Sequence, residues 1–172
     1  AAAEIKANEN VPVSTDWING RRTPFADQTL KTSMIGMDMG TNAPVLFRSI
    51  VEATAFGAKK INECFTSQDI EIKEIIALGG IAKKSPFVMQ ILADVLEMPV
   101  KVVRSEQACA LGAAMFASVT GGVYKRIEDA QDAMSSGFEK TYKPNKKTAE
   151  FYRKRYEKYL ELAKATEENL KL

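Results

Sequence analysis

Histidine is missing from the 172-residue sequence. Its absence removes the commonest metal ligand and the commonest general base, so catalysis would fall to carboxylates, lysines or backbone groups. Cysteine is scarce. Cys64 and Cys109 stand far apart in apolar helical contexts and are expected to be reduced packing residues. Neither charge sign dominates, with 24 basic against 22 acidic residues and a net charge of +2, which argues against a dedicated nucleic-acid or acidic-membrane surface. No apolar run approaches the roughly 18 residues of a membrane span, and no charged-then-apolar signal segment opens the chain. The expected compartment is the cytoplasm, with no nucleic acid and no membrane among the partners. What is present, 45% hydrophobic residues, suffices for one ordinary core.

The most informative stretch is Ile75-Ile76-Ala77-Leu78 followed by Gly79-Gly80. A short continuous apolar run predicts a strand buried on both faces, and so a parallel strand covered by helices. The glycines end it, permit φ > 0 and allow close approach of a backbone or a flat ligand. Ser85 is a natural N-cap and Pro86 suits the first helical position, so the free N–H groups of the next helix are expected to face the double glycine. An anionic or nucleotide ligand would sit there. An ordinary strand-to-helix turn has the same local sequence.

Along the chain, 1–8 is helix-like and starts abruptly, as the cut end of a longer helix would. Residues 11–40 read as loops and turns, with Trp17 and Phe25 expected to pin them to a neighbour. Leu46, Ile50, Ala53, Gly57, Ile61 and Cys64 recur at helical spacing, and the interior Gly57 implies a close contact on that face. A strand over 69–78 follows, then a helix striped by Val88, Ile91, Leu92 and Val95, then a strand at 100–103. Ser105 is the expected cap of the next helix, 108–120, whose small residues let it lie close to a sheet or a partner helix. Ile127, Ala130 and Met134 mark a short helix and 140–144 a linker. From Asn145 to Leu170 runs a charged helix with Tyr152, Tyr156, Tyr159 and Ala163 on one stripe; residues 143–172 hold nine Lys or Arg against five Glu. Strand, helix, strand, helix predicts an α/β fold with a parallel sheet. Its remaining strands must come from 11–40 or from sequence upstream.

Two stretches taken together are more specific: 77–85 leading to Gln90 and Asp94, then Glu106 followed by Ala110-Leu111-Gly112-Ala113-Ala114. In this order they resemble the C-terminal signature of the FGGY carbohydrate kinases, and the likeness continues through 16–24 and 52–58. The resemblance implies an actin-like ATPase (ribonuclease H-like) domain, the C-terminal half of a two-domain sugar kinase. Residues 1–142 would form the kinase domain and 143–172 a helical extension packed on it. Cofactors would be ATP and Mg²⁺. Gly79, Gly80, Ile81 and Ser85 would be nucleotide neighbours. The phosphate motif, the sugar-binding residues and the proton-accepting aspartate would lie before Ala1, leaving no catalytic residue and no metal ligand here. Asp38-Met39-Gly40-Thr41 imitates that phosphate motif, but follows no predicted strand and is expected to be a loop.

The leading expectation is the nucleotide-binding domain of an ATP-dependent pentulose kinase, inactive alone, with the sugar held by the missing N-terminal part. Alternatives are a family member acting on xylulose or glycerol, or a non-catalytic actin-like module for nucleotide binding or assembly. Trp17, Phe25, Met34, Met37 and Met39 are candidates for an exposed apolar face through which the fragment self-associates, with core packing as the competing reading for Trp17.

Overall fold

The computed structural model describes residues 1–7 and 10–169. In chain order the elements are β1 (Val13–Ser14), β2 (Met34–Ile35), α1 (Ala43–Thr66), β3 (Ile75–Ala77), α2 (Gly80–Lys84), α3 (Pro86–Leu96), β4 (Val100–Val103), α4 (Ala108–Thr120), α5 (Ile127–Met134), β5 (Phe138–Tyr142) and α6 (Lys146–Asn169). β3 runs parallel to β4, β5 runs antiparallel to β4, and β1 and β2 form a separate antiparallel pair. Asn8 and Leu170, expected helix ends, lie outside the described residues.

Helix α3 is the hub. Ser85 caps it, with the Val88 N–H donating to Ser85 Oγ, and Pro86 fills its first position. Its stripe meets two apolar clusters. Ile91 and Val95 pack with Phe56 of α1 and with Tyr152, Tyr156, Tyr159 and Leu162 of α6. Met89 and Ala93 pack on Val100 and Val102 of β4 and on Tyr142 of β5. The α6 aromatic stripe expected from sequence therefore faces the core. Its helix begins where predicted, with Asn145 Oδ1 accepting the Lys147 and Thr148 N–H groups.

Several expectations are corrected. The N-terminal helical stretch is only a 3-10 turn over Ala2–Glu4. The strand over 69–78 shrinks to β3, because Asp69 takes a left-handed turn at the end of α1. Nor is β3 buried on both faces: Ile76 is 53% exposed, since among the described residues only one side of the sheet is covered by a helix. The third strand comes from the stretch taken for a linker. β5 was hidden because it is a sheet edge, its side chains mostly exposed, with a bulge opposite Val102 and Val103. Ser105 does not cap α4; it stands two residues before the N-cap position, where its hydroxyl accepts the Gln107 N–H. One expectation holds here, since α4 packs on a partner helix, α5. Cys109 is exposed rather than packed. Trp17 is buried against Leu30 and Ala163, so it belongs to the core and not to an exposed face, while Phe25, Met37 and Met39 are exposed.

Candidate functional site

β3 delivers the chain to Gly79, whose φ is +92°, a left-handed value that L side chains rarely adopt. The positive φ thus falls on the first glycine, not on Gly80. Gly80 already belongs to α2, a five-residue helix interposed before Ser85. The Lys83 N–H reaches back to the Gly79 carbonyl at 3.4 Å, and the Ser85 N–H donates to the Ile81 carbonyl at 3.0 Å. Gly79, Gly80 and Ile81 therefore sit together, and Ser85 stands one short helix away, with its hydroxyl engaged in capping α3. A Cβ built on Gly79 or on Gly80 meets nothing within 4 Å, and the Ile81 side chain is exposed. The loop is an open ledge rather than an enclosed pocket. Lys83 Nζ ties the ledge to the end of β4, donating to the Arg104 carbonyl at 2.6 Å and pairing with Glu139 at 3.2 Å.

The Asp38 to Thr41 stretch is a closed turn. Asp38 Oδ1 accepts the Gly40 N–H and the Thr41 hydroxyl, and Thr41 Oγ1 accepts the Asp38 N–H. A two-residue strand, β2, does precede it, contrary to expectation, but the turn leads into α1, which Asn42 caps. Asp38 is spent on shaping this turn.

The hollows of the surface lie elsewhere. One of about 350 Å³ is lined by Asp16, Asn19, Arg22, Thr23, Thr54 and Ile61, between the 16–23 loop and α1. Gly57 forms its floor: a Cβ there would stand 2.8 Å from Asp16 Cγ, which explains a helix-interior glycine. Asp16 Oδ1 accepts the Tyr159 hydroxyl at 2.9 Å. Burial raises the Asp16 carboxyl above its ordinary value near 3.8, opposed by the Tyr159 hydrogen bond and the Arg21 charge. Burial, then the Asp16 charge, raises the Tyr159 hydroxyl. The folded state thus holds the Asp16 proton to higher pH than the unfolded chain does. Its contribution to stability falls as pH rises from about 3.8 through the raised value, and is flat above. Asp16→Asn is expected to flatten this part of the slope of melting temperature against pH above 4; an unchanged slope would show that Asp16 ionises freely in the folded state.

Sequence reasoning missed a buried charge network between α1 and α6. Glu52 accepts from Arg48 Nε at 2.8 Å and from Arg155 Nε at 2.9 Å, and the Tyr152 hydroxyl lies 3.3 Å from the same carboxylate. Arg48 Nη2 donates to the Tyr152 oxygen at 2.9 Å, and Arg155 Nη2 to the Pro12 carbonyl at 3.0 Å. Arg48 also bonds the Ile5 carbonyl. Burial and the Glu52 charge raise the Tyr152 hydroxyl. An Arg and a Glu four residues apart look like a solvated pair in sequence. The one available signal was their place on the same helix as a long apolar stripe.

Among the described residues no group of three or more His, Cys, Asp or Glu side chains could hold a metal ion, and no helix is long and apolar enough to cross a membrane. Residues 1–121 match the FGGY family of carbohydrate kinases, C-terminal domain. The chain is 45% identical over 98% of its length to the ribulokinase of Vibrio parahaemolyticus and 38% identical over 94% to that of Bacillus licheniformis, spanning about 30% of each. Among solved structures it superimposes on xylulose kinase from Lactobacillus acidophilus with a TM-score of 0.86 at 23% identity, covering 98% of this chain and 34% of that one. Glycerol kinase from Plasmodium falciparum, solved with ADP, gives 0.73 at 19% identity, covering 94% of this chain and 32% of that one. The fold is the actin-like ATPase fold that the resemblance implied, and the chain belongs to the FGGY family of carbohydrate kinases, as its C-terminal domain.

Proposed function

We propose that this chain is the nucleotide-side domain of an ATP-dependent, cytoplasmic ribulokinase, which transfers the γ-phosphoryl group of ATP to L-ribulose and releases L-ribulose 5-phosphate and ADP. The observation that carries this reading is the high identity to curated ribulokinases across nearly the whole chain. Phosphoryl transfer asks little covalent chemistry of a protein; it needs the nucleotide and the acceptor held in line, with charge neutralised. The Gly79–Gly80 ledge suits the first task, since neither glycine has a protein neighbour where a side chain would stand. Gly79 and Gly80 would let the ribose and phosphates lie close to the backbone, with Ile81 as an exposed apolar contact and Ser85 at the helix start flanking the base. Mg²⁺ would supply charge neutralisation at the phosphates, and no ligand for it is assigned among the described residues. The match over 1–121 and the docking of α6 through one aromatic stripe support 1–142 as the kinase domain and 143–172 as its helical extension.

The test is Gly80→Val in the complete kinase. Because a Cβ at Gly80 meets nothing within 4 Å in this domain, the fold is expected to persist while the Michaelis constant for ATP rises about tenfold or more, a loss of about 1.4 kcal/mol. The constant for ribulose should stay within about twofold. An unchanged ATP constant in a folded variant would overturn the nucleotide assignment.

The exposed Phe25, Met37, Met39, Ile76 and Leu78 support self-association of the 172-residue chain. Sedimentation at micromolar concentration is expected to show dimers or larger species, and a clean monomer would refute it.

A further inference from the structure

We propose that Asp94 and Gln90 are positioning residues that brace the two ends of the nucleotide ledge against each other. This rests on the nucleotide reading above. Apolar packing holds α3 on both sides, through Ile91 and Val95 in one cluster and Met89 and Ala93 in the other, but such contacts are weakly directional and do not by themselves set a helix's axial position. A polar clamp supplies the direction. Asp94, only 4% exposed, accepts at Oδ1 both the Gln90 side-chain amide and the backbone N–H of Asn145, each at 2.8 Å. Gln90 Nε2 donates a second bond, 2.9 Å long, to the Lys143 carbonyl. Two hydrogen bonds thus fasten α3 to the turn at 143–145, and the third, within α3, ties the two clamp residues to each other. That turn is held on one side by β5, which pairs with β4, and on the other by α6, whose first turn Asn145 caps.

The result is a closed mechanical circuit. It leaves Gly79 along β3, crosses β4 and β5, passes through the clamp into α3 and returns to Ser85 and the ledge. The clamp begins five residues into α3 at Gln90 and ends nine residues in at Asp94, about 8 and 14 Å along the axis from Ser85 at 1.5 Å per residue, and both side chains are engaged with the 143–145 turn rather than with the ledge. Its influence passes through the helix. A carboxylate buried in this position is costly unless its acceptors are filled. Burial raises the Asp94 carboxyl while the Asn145 and Gln90 bonds oppose the rise.

The experiment uses the complete kinase with three variants. Asp94→Leu removes the acceptor at similar volume, Asp94→Asn keeps an acceptor oxygen, and Gln90→Leu removes two of the bonds while leaving Asp94 to Asn145. Asp94→Leu is expected to raise the Michaelis constant for ATP about tenfold and that for ribulose less than twofold, with the emission of buried Trp17 unchanged as the control for folding. Asp94→Asn should recover most of the ATP affinity and Gln90→Leu should lose about threefold. Should Asp94→Leu not fold, Gln90→Leu carries the test alone. Equal losses for both substrates, or no loss for ATP in a folded variant, would overturn the proposal. If Gly80→Val weakens ATP binding while the clamp variants do not, the clamp is purely structural and the nucleotide site stands. If none of the variants alters ATP binding, both readings fall.

Discussion

Glu52→Ala is expected to lower the stability of the fold by about 3–5 kcal/mol, equivalent to a fall of roughly 6–20 °C in melting temperature for a domain of this size. The carboxylate is 1% exposed and lies between the guanidinium groups of Arg48 and Arg155. Removing it leaves two cations in a site where one is 5% and the other 12% exposed, with no other counter-charge paired with either among the described residues. The cost is the desolvation of what remains more than the loss of the pair itself. Glu52→Gln, which keeps the volume and one acceptor oxygen, should cost less. Thermal unfolding followed by far-UV circular dichroism checks both. A Glu52→Ala variant within about 1 kcal/mol of the parent would mean that water reaches the two arginines freely.

Phe56→Ala should cost about as much, 3–5 kcal/mol, for a different reason. Its ring is 1% exposed, and its centroid stands 6.1, 5.8 and 5.5 Å from those of Tyr152, Tyr156 and Tyr159. Truncation leaves a void on the seam between α1 and α6, and the hydrogen bonds of Tyr152 to Arg48 and of Tyr159 to Asp16 oppose the shifts that would close it. Phe56→Leu, closer in volume, is expected to lose less than about 1.5 kcal/mol. Urea unfolding would separate the two, since the midpoint should move without a change in slope. A small loss for Phe56→Ala would show that α6 can slide to fill the gap.

The helices were legible because period and caps agreed. Ser85-Pro86 opens α3, Asn145 opens α6, and the Ile91 and Val95 stripe faces the core that its spacing implied. The glycine turn was legible in outline, but the five-residue α2 was not, since Gly80 to Lys84 carries no cap and too few residues for a period to show. The positive φ moved to Gly79 for the same reason: once Gly80 starts a helix, the chain reversal must fall on the residue before it. What sequence could not supply was burial of charge. Periodicity counts apolar positions, so Arg48 and Glu52 fell outside the stripe although they lie deeper than Leu46 or Ile50. Of the edge strands, β5 escaped because it alternates too weakly to declare a buried face, whereas β3 was found but taken as buried on both faces because it is apolar on a face left uncovered.

The pairing of Arg155 with the Pro12 carbonyl and of Tyr159 with Asp16 joins residues 143 positions apart. On a ribosome this separation becomes a delay. At about 5–20 residues per second, roughly 7–30 s elapse between synthesis of the first strand and of the helix that covers it. From the synthesis of Phe56 to that of Tyr156, about 5–20 s at the same rate, that ring is bare and Glu52 lacks one of its two cations. Nascent chains of this protein therefore pass through a window in which the centre of this domain is still open, and a chain released before Tyr159 lacks part of the aromatic stripe that closes its core.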